Sequence, residues 1–186
     1  MLAYYSIATN MALFLEQNDI GGPALAGTII SFTTVGGMIT SLLLAWLETK
    51  FKNQLIPIML LGMGIAFTLL SFTNNIALVV VSVCLIGFGQ GILFPLIILK
   101  VLNQVEFQQG DRAIAITSSF IFMGQFLSPI VLDGVGQLFN NQTIRFQYTI
   151  LAIVILLAVF LNILNRFYQN NQLITGQQTN QKDKLG

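Results

Sequence analysis

One carboxylate, Asp133, stands inside a long apolar stretch of this 186-residue chain, and its chemistry is the most distinctive in the sequence. A carboxylate in apolar surroundings can bind and release a proton, because burial favours the neutral acid and water or a cation favours the charged form. Asp133 lies about nine residues past the middle of its stretch, which is roughly 13 Å along a helix. We therefore expect it near the edge of an apolar layer and not at its centre.

The other side chains that could bind a ligand carry no charge. They are hydroxyl, amide and aromatic groups within apolar stretches: Tyr5, Thr9, Asn10, Gln90, Phe94, Phe122 and Gln125. A few amides and hydroxyls in an apolar pocket suit an amphiphilic, often cationic molecule better than a sugar or a phosphate. The same groups would serve equally well as interhelical hydrogen bonds, worth about 0.6 kcal/mol each, so both interpretations stand.

The residue types present exclude most other chemistry. The chain has no His, which excludes imidazole metal sites and Ser–His or Cys–His nucleophile pairs. Its single cysteine, Cys84, cannot form an internal disulfide. No paired carboxylates or acyl-transfer motif lie in the apolar stretches, so we expect neither an enzyme nor a cofactor or metal site. A net charge of +1 offers no basic field for nucleic acid.

The composition indicates an all-α integral membrane protein. Hydrophobic residues make up 55% of the chain and charged residues 8%, whereas about a quarter of a soluble domain is charged. A membrane-spanning helix needs roughly 20 apolar residues. Six stretches predict such helices, the first of them too short and interpreted as a helix that lacks its first turns: 1–15, 24–47, 55–73, 76–99, 113–139 and 146–165.

The basic residues predict how the chain crosses the membrane. Seven of the eight Lys and Arg residues fall in the loops and tail of one side, and Arg145 alone falls in the loops of the other. Basic loops stay in the cytoplasm, so we expect both termini there. Residues 1–168 then form the membrane domain, and the polar tail 169–186 is predicted to be a disordered cytoplasmic segment.

Small residues predict which helices lie inside the bundle, because they allow helices in lipid to approach closely. The second, fourth and fifth stretches carry them at four-residue spacing, whereas the last, from Tyr148, has no Gly or Pro and should face lipid. We expect packing or gating roles for Gly37, Gly87, Gly91, Pro95, Gly124 and Pro129. Pro95 also frees a backbone carbonyl, which then needs another hydrogen-bond donor.

Three segments resemble one family. GFGQGILFP (87–95) is similar to the tenth helix of major facilitator superfamily transporters, and DRAIAITSSFIFMGQFLSP (111–129) resembles the start of the eleventh helix in their drug-exporter branch. SIATNMALFLEQNDIGGPALAG (6–27) is similar to that branch's seventh helix, outer loop and start of the eighth. The resemblance implies a six-helix bundle, the C-terminal half of a twelve-helix fold, built as two inverted three-helix repeats.

The resemblance also implies a function. It predicts a proton-coupled exporter of drugs or small solutes in the cell membrane, working by alternating access with the proton gradient as its energy source and no cofactor. Its partners would be the lipid bilayer, an amphiphilic substrate, and a missing N-terminal half or a second copy of the chain. The position of Asp133 near the edge of the apolar layer favours an interfacial residue or an outer gate over the alternative, the carboxylate that couples proton movement to transport. The alternative is a non-transporting fragment or membrane subunit that only associates with partner helices.

Overall fold

Helices make up the fold that the sequence encodes. The computed structural model describes the backbone of residues 1–51 and 54–182 and the side chains of 1–51 and 54–165, and no strand occurs within that backbone. The elements, which include a short 3-10 turn at Phe107–Gln109, are α1 (Leu2–Gln17), α2 (Pro23–Leu42), α3 (Leu44–Phe51), α4 (Leu55–Phe72), α5 (Ile76–Leu102), α6 (Gly110–Leu138) and α7 (Ile144–Lys182).

Five of these helices are long and apolar enough to cross a membrane. They are α2, α4, α5, α6 and the Ile144–Asn165 part of α7. The first helix, α1, has 16 residues, fewer than the roughly 20 that a span needs. The predicted all-helical membrane fold is confirmed, whereas the sixth span and the inverted repeats stay predictions.

The second predicted span, 24–47, is divided at Leu43 into α2 and α3. Two hydroxyls just before the break bond back to their own helix: Thr40 Oγ1 donates to Gly36 O (3.0 Å) and Ser41 Oγ to Gly37 O (2.8 Å). Such bonds often bend a helix. The short α3 then packs on the start of α4 and the end of α5, in a small cluster formed by Leu44, Leu47, Leu55, Ile92 and Leu96.

The last helix, α7, is longer than the predicted span. Its backbone is helical to Lys182, although the apolar part ends at Asn165. The helix thus continues into the segment 169–186, for which the sequence predicts disorder and whose side chains lie outside the described residues. The state of that tail stays a prediction.

The main core lies where α1, α4, α5 and α7 meet. Tyr148 is fully buried there, with its ring centroid 5.3 Å from that of Phe14 and 5.7 Å from that of Phe67. The contact with Phe67 is edge-to-face and that with Phe14 is tilted, and such pairs stabilise a core beyond the area that the rings bury. The residues that complete the core include Ile7, Met11, Leu70, Val83, Ile86, Leu151 and Ile155.

Burial of the helices follows the small-residue ranking only in part. In the most apolar 18-residue segment of each spanning helix, the buried fraction is 44% in α5, 39% in α4, 28% in α2 and α7, and 11% in α6. The prediction holds for α5, which packs against both α2 and α4. It does not hold for α6, which was also expected inside but is the least buried span of the described chain. It misses α4, which lies between α5 and α7 and buries large side chains such as Phe67 as well as Gly64. As expected, α7 buries one stripe and exposes the rest, including Val154, Leu157 and Leu161.

Candidate functional site

The contact between α2 and α5 depends on glycine. A Cβ atom on Gly87 would overlap the backbone of Thr33, and one on Gly91 would overlap the backbone oxygen of Gly37 and the hydroxyl of Thr40. A Cβ on Gly37 would lie 3.4 Å from the carbonyl oxygen of Gly87. The predicted glycine ladder therefore lies at the closest approach of two helix backbones.

Pro95 interrupts the hydrogen bonding of α5 at the same contact. Proline has no N–H, so the carbonyl of Gly91, four residues earlier, has no partner within the helix. The hydroxyl of Ser41 on α2 lies 3.0 Å from that oxygen and 2.8 Å from Gly37 O, and its one proton serves both acceptors. The donor that the sequence required for the freed carbonyl comes from the neighbouring helix.

Two adjacent faces of α6 behave differently. On one face, Ser128 Oγ donates to the carbonyl oxygen of Leu2 (2.9 Å), and Gly124 lies against Met1. On the other face, Gln125 and Asp133 are exposed. The start of α1 therefore covers one face of α6, while the polar face is not covered by the described chain.

A chain of side-chain amides crosses the bundle at the predicted outer end. Asn10 Nδ2 on α1 donates to Gln147 Oε1 on α7 (2.8 Å), and Gln147 Nε2 donates to Asp133 Oδ1 on α6 (3.2 Å). Gln147 is only 2% exposed, whereas Asn10 is half-buried and Asp133 is exposed. Two predicted site residues that lie far apart in the sequence are thus joined through one buried glutamine.

The remaining candidate ligand residues are less closely associated. Thr9 is exposed, and its hydroxyl bonds to Tyr5 O (3.1 Å) within α1. Gln90 Nε2 lies 3.0 Å from the sulfur of Met1. The two aromatic candidates are exposed, Phe94 by 37% and Phe122 by 64%. The start of α1 therefore lies beside Gln90 of α5, but the side chains of Gln90 and Gln125 do not bond to each other.

A comparison with family models decides what kind of protein carries this arrangement. The Major Facilitator Superfamily model matches residues 1–179. The chain belongs to the Major Facilitator Superfamily. It is therefore a multi-pass membrane protein from a family that transports small molecules, not from a family of enzymes. The comparisons with curated proteins and with solved structures gave no match.

This superfamily member has a second polar site at the predicted outer end, around Arg145. The guanidinium donates to Thr73 O (3.0 Å) and Ser71 O (3.5 Å) at the end of α4, and to the side-chain oxygens of Asn18 and Asn74 in the neighbouring turns. The preceding N–H, that of Ile144, bonds to the Gln17 side chain on α1 (2.9 Å). We call Arg145 with its four acceptors the outer junction, since it fastens the start of α7 to α1 and α4.

Sequence reasoning missed both Gln147 and the role of Arg145. The last predicted span, 146–165, contains Gln147, but its packing was judged from the apolar run that begins one residue later, at Tyr148. An amide next to an apolar run was a signal, but its partners are 137 and 14 residues away. Arg145 was counted only as an outer basic residue, because its acceptors are backbone carbonyls and amides that no charge pattern reveals.

Ionisable groups are few in the described bundle. Glu48, Glu106 and Asp111 lie on the loop side that is predicted to be cytoplasmic, far along the chain from Asp133. Among the side chains of residues 1–51 and 54–165, no three His, Cys, Asp or Glu groups gather as a metal ion would require. The polar α6 face therefore offers hydrogen-bonding groups and one carboxylate, that of Asp133.

Proposed function

We propose that this chain is the C-terminal half of a twelve-helix exporter in the cell membrane, and that the polar face of α6 lines its substrate path. One observation carries the proposal: α6 is the least buried of the spans, yet its uncovered face holds Gln125 and the carboxylate of Asp133. A charged group on a membrane helix is costly against lipid and usually faces a bundle interior or a water-filled cavity. A second set of helices packed against that face would shield Asp133 from lipid.

The chemistry of the face favours an amphiphilic substrate. Phe122 contributes an aromatic surface beside the amide of Gln125, and Thr9 of α1 offers a hydroxyl. Sparse hydrogen bonding within a largely apolar surface suits such a molecule. Asp133 adds one negative charge, which would favour a cationic compound.

Transport would use alternating access, with the two halves rocking around a central site. The α2–α5 glycine contact and the outer junction support this, because they hold the helices of this half together as one unit. The energy source in this proposal is the proton gradient, used in antiport, with Asp133 as an outer gate. Both termini would lie in the cytoplasm, as the basic loops indicate.

The proposed partner is an N-terminal half, or a second copy of the chain, facing α6. A subunit that only binds partner helices is the other candidate from the sequence, and the family match does not favour it. The polar face of α6 also argues against it, because pure helix association needs small residues and not an exposed carboxylate.

The test is proton-driven efflux of a fluorescent lipophilic cation from everted membrane vesicles. The chain is expressed alone and together with a six-helix N-terminal half. We expect efflux only in the joined form, its loss with an uncoupler, and at least a tenfold decrease in Asp133→Asn. Ser31→Ala is the matched control, because that hydroxyl is exposed and bonds only within α2. Undiminished efflux in Asp133→Asn would contradict the role of the carboxylate.

A further inference from the structure

The chain of amides from Asn10 through Gln147 to Asp133 has a direction. An ionised carboxylate can only accept hydrogen bonds, so it requires the NH₂ group of Gln147 on its side. The carbonyl oxygen of Gln147 then points to α1, where Asn10 must supply its own NH₂ group. The observed donors and acceptors have this order, over 3.2 Å and 2.8 Å.

The buried position of Gln147 makes the two hydrogen bonds depend on each other. At 2% exposure its amide cannot exchange a lost partner for water, and an unmet buried polar group costs about 1–3 kcal/mol. If one bond reverses its direction, the other must reverse as well. Asn10 and Asp133, at the two ends, are half-buried and exposed, so each can also meet solvent or a ligand.

We infer that Gln147 is a positioning residue that converts the ionisation of Asp133 into a reversal of hydrogen-bond polarity at Asn10. Protonation of Asp133 removes the charge that strengthens the hydrogen bond from Gln147. When the proton sits on the carboxyl oxygen that faces Gln147, the new O–H donates to the Gln147 carbonyl once the Gln147 amide has turned over. The Gln147 NH₂ group then donates to Asn10 Oδ1, which leaves the Asn10 NH₂ group to face a ligand. In the ionised state Asn10 instead presents its oxygen. Only the proton on the carboxylate is gained or lost.

This inference deepens the proposed function and rests on it for the part that Asn10 touches substrate. A substrate group that donates hydrogen bonds would be preferred with Asp133 ionised, and an accepting group with Asp133 protonated. Proton uptake at Asp133 would thus weaken the binding of a hydrogen-bond-donating substrate at Asn10, although the proton and the substrate do not touch.

The charged groups around α6 define what else could act on Asp133. The elements that pack against α6 are α1, α5, α7 and the turn at Phe107–Gln109. Their described charged groups, besides Asp111 and Arg112 at the start of α6 itself, are the Met1 amino group, Glu16, Lys100 and Arg145. Lys100 ends α5 on the opposite side, and Met1 lies beside Gly124, nine residues before Asp133. Arg145 donates to the acceptors of the outer junction.

The test uses the chain alone in lipid nanodiscs, with ¹⁵N-labelled asparagine and ¹³C-labelled aspartate followed by NMR. The Asn10 side-chain amide is assigned by its loss in Asn10→Ser. As the pH is lowered, we expect its resonance to shift with the same midpoint as that of the Asp133 carboxyl carbon. The shift should vanish in Asp133→Asn and in Gln147→Leu, while the Asp133 carboxyl still titrates in Gln147→Leu.

Thr149→Val is the control on the same helix, since its hydroxyl bonds only to Arg145 O, and it should keep the Asn10 shift. If Gln147→Leu does not fold, Gln147→Met offers an unbranched chain of similar length. An Asn10 shift that persists without Gln147, or an Asn10 amide that ignores the Asp133 titration, would overturn the inference. So would an Asp133 that stays in one state throughout. Because no transport is measured, failed efflux in the joined form would not affect this result.

Discussion

The hydroxyl of Ser41 on α2 lies 3.0 Å from the carbonyl oxygen of Gly91 on α5, which Pro95 leaves without a donor in its own helix. Interhelical hydrogen bonds of this kind contribute about 0.6 kcal/mol on average in membranes. We expect Ser41→Ala to lower the free energy of unfolding by about that amount. In a Pro95→Ala background, where the helix supplies its own N–H, the same substitution should cost close to nothing.

Reversible unfolding in mixed micelles measures this double-mutant cycle. Ser31→Ala is the matched control, because Ser31 donates only to Gly27 O within α2. An equal cost of Ser41→Ala with and without Pro95 would show that the hydroxyl serves Gly37 alone.

The glycine contact between α2 and α5 predicts that alanine is far less well tolerated at a glycine in this contact than at a glycine outside it. Gly91→Ala should destabilise the chain by about 1–3 kcal/mol, because the new methyl group meets the backbone of Gly37 and cannot be relieved by a side-chain movement. Gly62→Ala is the control: nothing lies within 4 Å of its Cβ position, so alanine should be neutral or should stabilise α4. Thermal unfolding in detergent distinguishes them. Equal melting temperatures for both variants would mean that α2 and α5 are not in close contact.

Tyr148 predicts a gain in stability from the loss of a polar atom. Its hydroxyl is fully buried and has no hydrogen-bond partner among the described residues, while its ring packs on Phe14 and Phe67. Tyr148→Phe keeps the ring and removes the unmet group, so we expect an increase of about 1 kcal/mol in the free energy of unfolding. Tyr5→Phe, at a half-buried ring, is the control and should change it little. A clear loss in Tyr148→Phe would reveal a donor or acceptor that binds the hydroxyl in the membrane.

Some of these contacts could be predicted from the sequence, and others could not. Helix positions follow from apolar length, and the Gly87–Gly91 face follows from four-residue spacing, because both are local patterns. The outer junction does not follow, since Arg145 binds carbonyl oxygens whose positions depend on where α4 ends. Gln147 was missed because its partners, Asn10 and Asp133, lie on other helices and are brought to it only by the fold. The break at Leu43 was also missed, because the hydroxyls that precede it look equally suited to helix packing.

The outer junction predicts that Arg145 cannot be replaced by lysine. A guanidinium reaches several acceptors at once in a fixed plane, whereas an ammonium group is a compact point charge. Arg145→Lys should therefore lose about 1–2 kcal/mol of stability although the charge is kept, since hydrogen bonds to charged groups are worth about 1.5–3 kcal/mol each before rearrangement. Arg112→Lys, at an exposed position at the start of α6, should change little. Limited proteolysis of the turns beside Arg145 provides an independent readout, and full protection in Arg145→Lys would argue against the junction.

The predicted orientation can be tested with single cysteines. In a Cys84→Ala background, Gln142→Cys lies in the turn before α7 and Gln104→Cys in the loop after α5. A membrane-impermeant maleimide added to intact cells should label the first site at once and the second only after permeabilisation, because basic loops stay in the cytoplasm. The reverse pattern would place both termini outside.

Within the described part of the chain, the acceptors of Arg145 in the outer junction are two side-chain amide oxygens and two backbone carbonyls, and none of them is acidic. None of these acceptors changes its charge in acid, and none is an ion whose attraction dissolved salt would screen in the way that it screens a pair of opposite charges. The basic loops predict that this junction faces the external medium, whose acidity and salt content the cell does not control. The helices that meet at this rim should stay fastened through acid shock and changes in salinity that would loosen an arginine–carboxylate pair.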